Sequence, residues 1–420
     1  MNNILTDTPP ARVWDRSYTR AGGVIRANIS GVYIGSRHHR NRGNGAAWFI
    51  LSVIGVILIG GYALVQQRLG NGIGLSPRGT PVLAETTPTR SVEDFVILAE
   101  DSYKKGDYRG AINYYEQASR RKPNDASLYA LAARLMVFIG QAPQAEKTVQ
   151  KALQLDPKNA MAKAVLCMAI DWQGHYAEAV NRCMEATQLD PKSSMAYAYL
   201  GEAETDNGDI NGGRASVQKA LQLDPKNEDA MRDLGYNYEQ SGDYSQAIYY
   251  YGKTLDLNPN MPHVLIALGR CEVVMGQVPK AVLYFKQAVA LDPQNAEAYD
   301  RLGGAYFAIG EYDSARVALD KAIELDPMRV TAFTRRGILN FQLRRYEDAA
   351  ADYTRALTTS QLVSTTLTAV DFVNYGFALQ LTGNCTKAIG IFNQASSMAN
   401  NDKDLQDEIS VGLKRCSQQH

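Results

Sequence analysis

Seven prolines, Pro123, Pro157, Pro191, Pro225, Pro259, Pro293 and Pro327, stand 34 residues apart, and most close the phrase Leu-Asp-Pro or a near copy of it. A fixed period of this size marks stacked supersecondary units, none of which can bury its apolar face alone. The fold is then set by contacts between neighbours, and function belongs to a long curved surface rather than to one globular core.

Each unit is counted from the third residue after its proline. Position 15 then reads Gly106, Gly140, Gly174, Gly208, Gly242, Gly276 and Gly310, lapses at Arg344, and returns as Gly383. Apolar residues recur at three- and four-residue spacing on both sides of this glycine, which is helical periodicity, and glycine accepts the left-handed conformation that ends a helix. Each unit is therefore read as helix, turn, helix. Asp125, Asn159, Ser193, Asn227 and Asn295, two residues after their prolines, are placed to cap the helix that follows.

The pattern resembles the tetratricopeptide repeat family. The unit from Ala296 carries Tyr299, Leu302, Gly303, Tyr306, Gly310, Tyr312, Ala315, Ala322 and Pro327, and the unit from Glu228 carries Leu234, Gly235, Tyr238, Gly242, Tyr244, Ala247 and Tyr251. The resemblance covers nine units from near Val92 to about residue 400. It implies an all-α, right-handed superhelical solenoid, with 401–420 as a C-terminal capping helix. The eighth unit departs, with Arg344 and Gln361 in place of glycine and proline. Its Thr- and Ser-rich 358–368 is expected to interrupt the array.

The N-terminal part follows other rules. Residues 46–65 carry no charge and are rich in Ile, Leu, Val and Gly, with Trp48 and Tyr62 near the ends, which predicts a transmembrane helix. Residues 1–45 hold seven arginines and two acids and are read as a disordered basic tail; 66–91 is a Gly-, Pro-, Thr- and Ser-rich linker. The positive-inside rule places the N-terminus in the cytoplasm and the repeats on the extracytoplasmic side of a single-pass membrane protein.

No motif for catalysis, cofactor or metal emerges. The five histidines are scattered, and neither a His-Glu-x-x-His, a Cys-x-x-Cys nor a phosphate-binding loop is present. The chain is read as a non-enzyme without cofactor, small-molecule or nucleic-acid partner. Family resemblance implies that the first helix of each unit lines a concave groove for protein or peptide segments. Its exposed positions here are Val137, Phe138, Met161, Val165, Met168, Trp172 and Met195 early, then Arg232, Tyr236, Arg270, Arg301, Phe307 and Arg335, an apolar stretch followed by a basic one. Arg270, Arg301 and Arg335 are expected to gather into one patch for an acidic segment. The chaperone carboxylate clamp and the asparagine ladder of sugar-transferase arrays are both missing.

The leading expectation is a membrane-tethered protein-interaction scaffold of a membrane or envelope assembly. The alternative is a single-pass import or chaperone-docking receptor with cytosolic repeats. Cysteine spacing adds two candidate disulfides. Cys167 and Cys183 flank a turn at nearly equal height, as do Cys385 and Cys416, leaving Cys271 alone.

Overall fold

The computed structural model describes residues 90–400 and 402–418, and all of its regular structure is α-helical. Nine hairpins follow one another: α1 (Val92–Lys104) with α2 (Tyr108–Arg121), α3 (Ala126–Phe138) with α4 (Ala142–Leu155), α5 (Ala160–Asp171) with α6 (Tyr176–Leu189), and α7 (Ser194–Asp206) with α8 (Ile210–Leu223). Next come α9 (Glu228–Gln240) with α10 (Tyr244–Leu257), α11 (Pro262–Val274) with α12 (Val278–Leu291), α13 (Ala296–Ala308) with α14 (Tyr312–Leu325), α15 (Val330–Gln342) with α16 (Tyr346–Leu362), and α17 (Ala369–Leu381) with α18 (Cys385–Ala399). A single helix, α19 (Lys403–Ser417), packs on both helices of the last hairpin.

The punctuation acts as its chemistry dictates. All eight turn glycines at position 15 have positive φ, and Arg344 adopts the same left-handed conformation at φ 58°. Asp125, Asn159, Ser193, Asn227 and Asn295 each accept a hydrogen bond from the backbone N–H two or three residues on.

Hairpins close by insertion of a large residue at position 24 over a small one at position 8. A Cβ on Gly235, Gly269 or Gly376 would stand 2.8, 2.5 and 2.5 Å from the rings of Tyr251, Phe285 and Phe392, each of which is buried. The missing methyl group sets the distance between the paired helices. Flanking alanines at positions 20 and 27, such as Ala281 and Ala288 around Phe285, are fully buried and let the backbones approach.

Two expectations change. The first part of the Thr- and Ser-rich stretch, 358–362, is helix: α16 runs 17 residues to Leu362, because without a proline at Gln361 nothing removes a backbone donor there. Thr354 and Thr358 return their hydroxyls to carbonyls four residues back, and the break is confined to 363–368. The second change concerns the membrane. Among the described residues no helix is long and apolar enough to cross a bilayer. Residues 46–65, the tail 1–45 and the linker up to residue 89 lie outside the described residues. The described residues thus supply no membrane-spanning helix. The membrane anchor, the bilayer as a partner and the single-pass topology with extracytoplasmic repeats are corrected to what the described residues show, a helical repeat solenoid.

Candidate functional site

The first helix of each hairpin lies on the inner side of the array, and over the first six hairpins those inner faces meet. Tyr103 of α1 donates to Glu228 at the start of α9 (2.6 Å), and Arg134 of α3 makes a two-pronged contact with Asp229 at 2.7 and 3.0 Å. Tyr199 of α7 donates to the same carboxylate at 2.7 Å. His263 of α11 stacks on Phe138 of α3, with centroids 4.3 Å apart and planes within 5°.

The outer edge of the contact is equally direct. Asn260 donates its amide to the Lys104 carbonyl (2.9 Å), and Arg109 reaches Asp292 at 3.2 Å. Gly106 is what admits the closure: besides φ of +79°, a Cβ there would lie 2.7 Å from the Asn260 carbonyl oxygen. The first hairpin therefore seats against the loops around α11 and α12.

This contact fills the early half of the expected groove with the chain's own side chains. Met168 is 1% exposed, Val165 is fully buried and Val137 and Phe138 are buried with it, while Met161, Trp172 and Met195 are half-buried against the same core. Trp172 donates its indole N–H to Glu202 at 3.1 Å. Arg232, 5% exposed, forks onto Glu202 at 2.8 and 2.9 Å and touches Asp233 at 2.5 Å, and buried Tyr236 donates to Asp206. These residues face one another across a closed interior and do not line an open trough.

Electrostatics of that interior follow from crowding. Burial pushes the Asp229 carboxyl up, but the Arg134 guanidinium beside it outweighs burial and holds it down at about 2. Asp233 has no such balance; burial raises it well above the ordinary carboxylate range, the Arg232 contact opposes this, and Glu202, Asp229 and Asp206 add to the rise. Burial, with Arg232 and Arg134 close by, lowers His263 well below an ordinary imidazole, so the ring is neutral and stacks as an aromatic.

The later half differs. Arg270 of α11 contacts Glu239 at 3.2 Å, Arg301 of α13 contacts Glu297 at 3.5 Å, and Arg335 of α15 contacts Asp300. Arg329 joins them, 3.6 Å from Asp300 and 3.5 Å from the half-buried Asp326. Burial, followed by the nearby Arg335, lowers the affinity of Arg301 for its proton, and Arg270 adds to the effect. The three arginines named from the sequence are thus brought together. Their side chains are 11 to 14% exposed, no more than the 14% of Arg134, and half-buried Phe307 and Phe341 lie further along α13 and α15.

The cysteines pair as two disulfides, Cys167 with Cys183 and Cys385 with Cys416, at Cα separations of 5.2 and 5.1 Å, and Cys271 is buried and unbridged. Among the described residues no group of three or more His, Cys, Asp or Glu is arranged to hold a metal ion. The inner contact between the first hairpin and α9–α12 was not legible in the sequence. Its one signal, an acid at position 2 of the fifth unit (Asp229) opposite an arginine at position 9 of the second (Arg134), needs the number of units per turn before it can be read.

Two family models described as tetratricopeptide repeat match the chain, one at residues 102–166 and 275–333, the other at 173–228 and 232–296, together more than half of its length. Among solved structures, a human IFIT1 dimer with PPP-AAAA is similar at 17% identity, covering 73% of this chain and 82% of that one with a TM-score of 0.48. MamA is similar at 25% identity over 39% of this chain and 96% of its own, with a TM-score of 0.36. PilW, described as a widely conserved type IV pilus biogenesis factor, gives 20% identity, 51% and 97% coverage and a TM-score of 0.46. These likenesses carry no argument about function. No curated protein matches the chain.

Proposed function

We propose that the chain, which belongs to the tetratricopeptide repeat family, is a non-enzymatic protein-interaction scaffold whose binding face lies in the later repeats. The observation that carries this reading is the arginine cluster on α11, α13 and α15. Four guanidiniums, Arg270, Arg301, Arg329 and Arg335, gather among Glu239, Glu297, Asp300 and Asp326, and Arg301 feels Arg335 and Arg270 as repulsion. A partner carboxylate entering there relieves that repulsion and meets forked donors. Half-buried Phe307 and Phe341, six residues after Arg301 and Arg335 on the same helices, offer apolar surface. The partner that fits is an extended acidic segment with interspersed apolar residues.

The test is titration of a fluorescent peptide alternating Glu with Leu and Phe into the full chain. Saturable binding that weakens with added salt and falls about tenfold or more in Arg301→Gln and Arg335→Gln supports the reading. Affinity unchanged in both variants, with the fold intact by circular dichroism, contradicts it.

A further inference from the structure

The last described helix stands where a repeat would begin. Helix α19 begins at Lys403, 34 residues after α17 begins at Ala369. It therefore sits in the register of the first helix of a tenth unit, and its contacts agree. It packs on both α17 and α18, and its Gly412 abuts Phe392, with a Cβ there only 2.4 Å from the ring. The Cys385–Cys416 disulfide fixes it to α18. Buried Ile409 takes the place held by Leu302 and Leu268 in earlier units, and Leu413 the place of Tyr306.

Among the described residues, the second helix of this tenth unit has no counterpart, and its place is a groove. An open cleft of about 530 Å3 runs between α18 and α19, bounded by Ile389 and Ser396 on one side and by Ile409, Ser410 and Leu413 on the other. Ile389 and Ser396 occupy the positions of Val282 and Val289, which belong to the core joining the sixth and seventh units. Ser410 is at position 8, where the earlier units keep the small residue that receives a large side chain. Here that small residue is exposed.

We propose that this groove is a docking site for an amphipathic α-helix of a partner protein, which completes the tenth hairpin by supplying its second helix. The chain itself states what fits. In the sixth, seventh and ninth units the helix occupying the equivalent place presents small, large and small residues at i, i+4 and i+7: Ala281, Phe285 and Ala288; Ala315, Leu319 and Ala322; Ala388, Phe392 and Ala395. The partner helix carries the same spacing, its large side chain seated over Ser410 as Leu319 sits over Gly303. Lys414 at the groove favours an acidic residue on that helix. This is helix-in-groove recognition, with the repeat's own packing code as the specificity element.

The probe is a synthetic peptide with the sequence of Tyr312–Leu325, stapled on its outward face so that helix formation does not limit binding, titrated into the full chain. Saturable binding is expected, lost about tenfold or more when Leu319 of the peptide becomes Ala or when the chain carries Ser410→Trp, which fills the seat from within. Val411→Trp, at a side chain 45% exposed beside the groove, leaves affinity unchanged. Since Ser410 is exposed, Ser410→Trp preserves the melting transition, and Leu413→Asp provides a second disruption. Absence of binding, binding indifferent to these changes, or a chain dimer that Ser410→Trp dissociates would each overturn the proposal.

Discussion

Single side chains in the closed interior make the sharpest demands. His263 is neutral between Phe138 and Tyr108, with Arg232, Arg134 and Asp229 around it, and its folded pKa lies well below the unfolded value of about 6.5. A depressed value contributes stability that is present above the unfolded pKa and is lost as pH falls below it toward the folded one. Urea unfolding should therefore show a decline in stability from pH 7.5 to 5.5 that His263→Phe flattens while keeping the stack. Arg134 makes the complementary prediction. Arg134→Met leaves Asp229, 2% exposed, as a buried charge without its guanidinium, at a cost of about 3–5 kcal/mol. In that variant the Asp229 carboxyl rises from about 2 toward and beyond its ordinary value. Neither residue stands out in the sequence. His263 is one of five scattered histidines, and Asp229 reads as a first-turn acid of a helix, because the contacts that define both cross 95 or more residues.

At the scale of helices and hairpins the sequence speaks more plainly, since each unit's signals are local. Prolines, caps and turn glycines locate the boundaries, and position 8 can be read as a close approach before the partner ring is known. Gly269→Ala should be destabilising by about 1–3 kcal/mol, because the added methyl meets Phe285 at 2.5 Å in a filled core. Gly140→Ala, with nothing within 4 Å of the added carbon, should cost only its left-handed φ of +79°. Thermal melts of the two variants separate crowding from backbone strain. At the eighth unit, loss of proline carries α16 to Leu362 and leaves the interruption to 363–368. The cysteines belong here too. Thiol labelling of denatured, non-reduced protein should count one cysteine, Cys271, and five after reduction. A count of five without reductant would show that the two hairpin pairs are not bridged.

The described array divides into an early part whose first helices meet across a closed interior and a later part whose inner face carries Arg270, Arg301 and Arg335, nearly buried among acids. Family resemblance made every inner position equivalent, so the expected groove ran the full length of the array. The structure breaks that equivalence through curvature, the property least visible in a repeat. Side chains at the same offset become core in α3, α5, α7 and α9 and candidate contacts in α13 and α15. Closure of the first six hairpins is thus the central claim, because the proposed binding faces, in the later repeats and at the terminal groove, follow from it. It is tested most directly by pulsed dipolar spectroscopy between spin labels at Lys105 and Gln294, both exposed, in a Cys271→Ser background. A short, narrow distance distribution is predicted, as the neighbouring Arg109–Asp292 contact at 3.2 Å requires, broadening in Arg134→Met. A long or broad distribution in the unaltered chain would mean that the early groove is open, and would contradict the account.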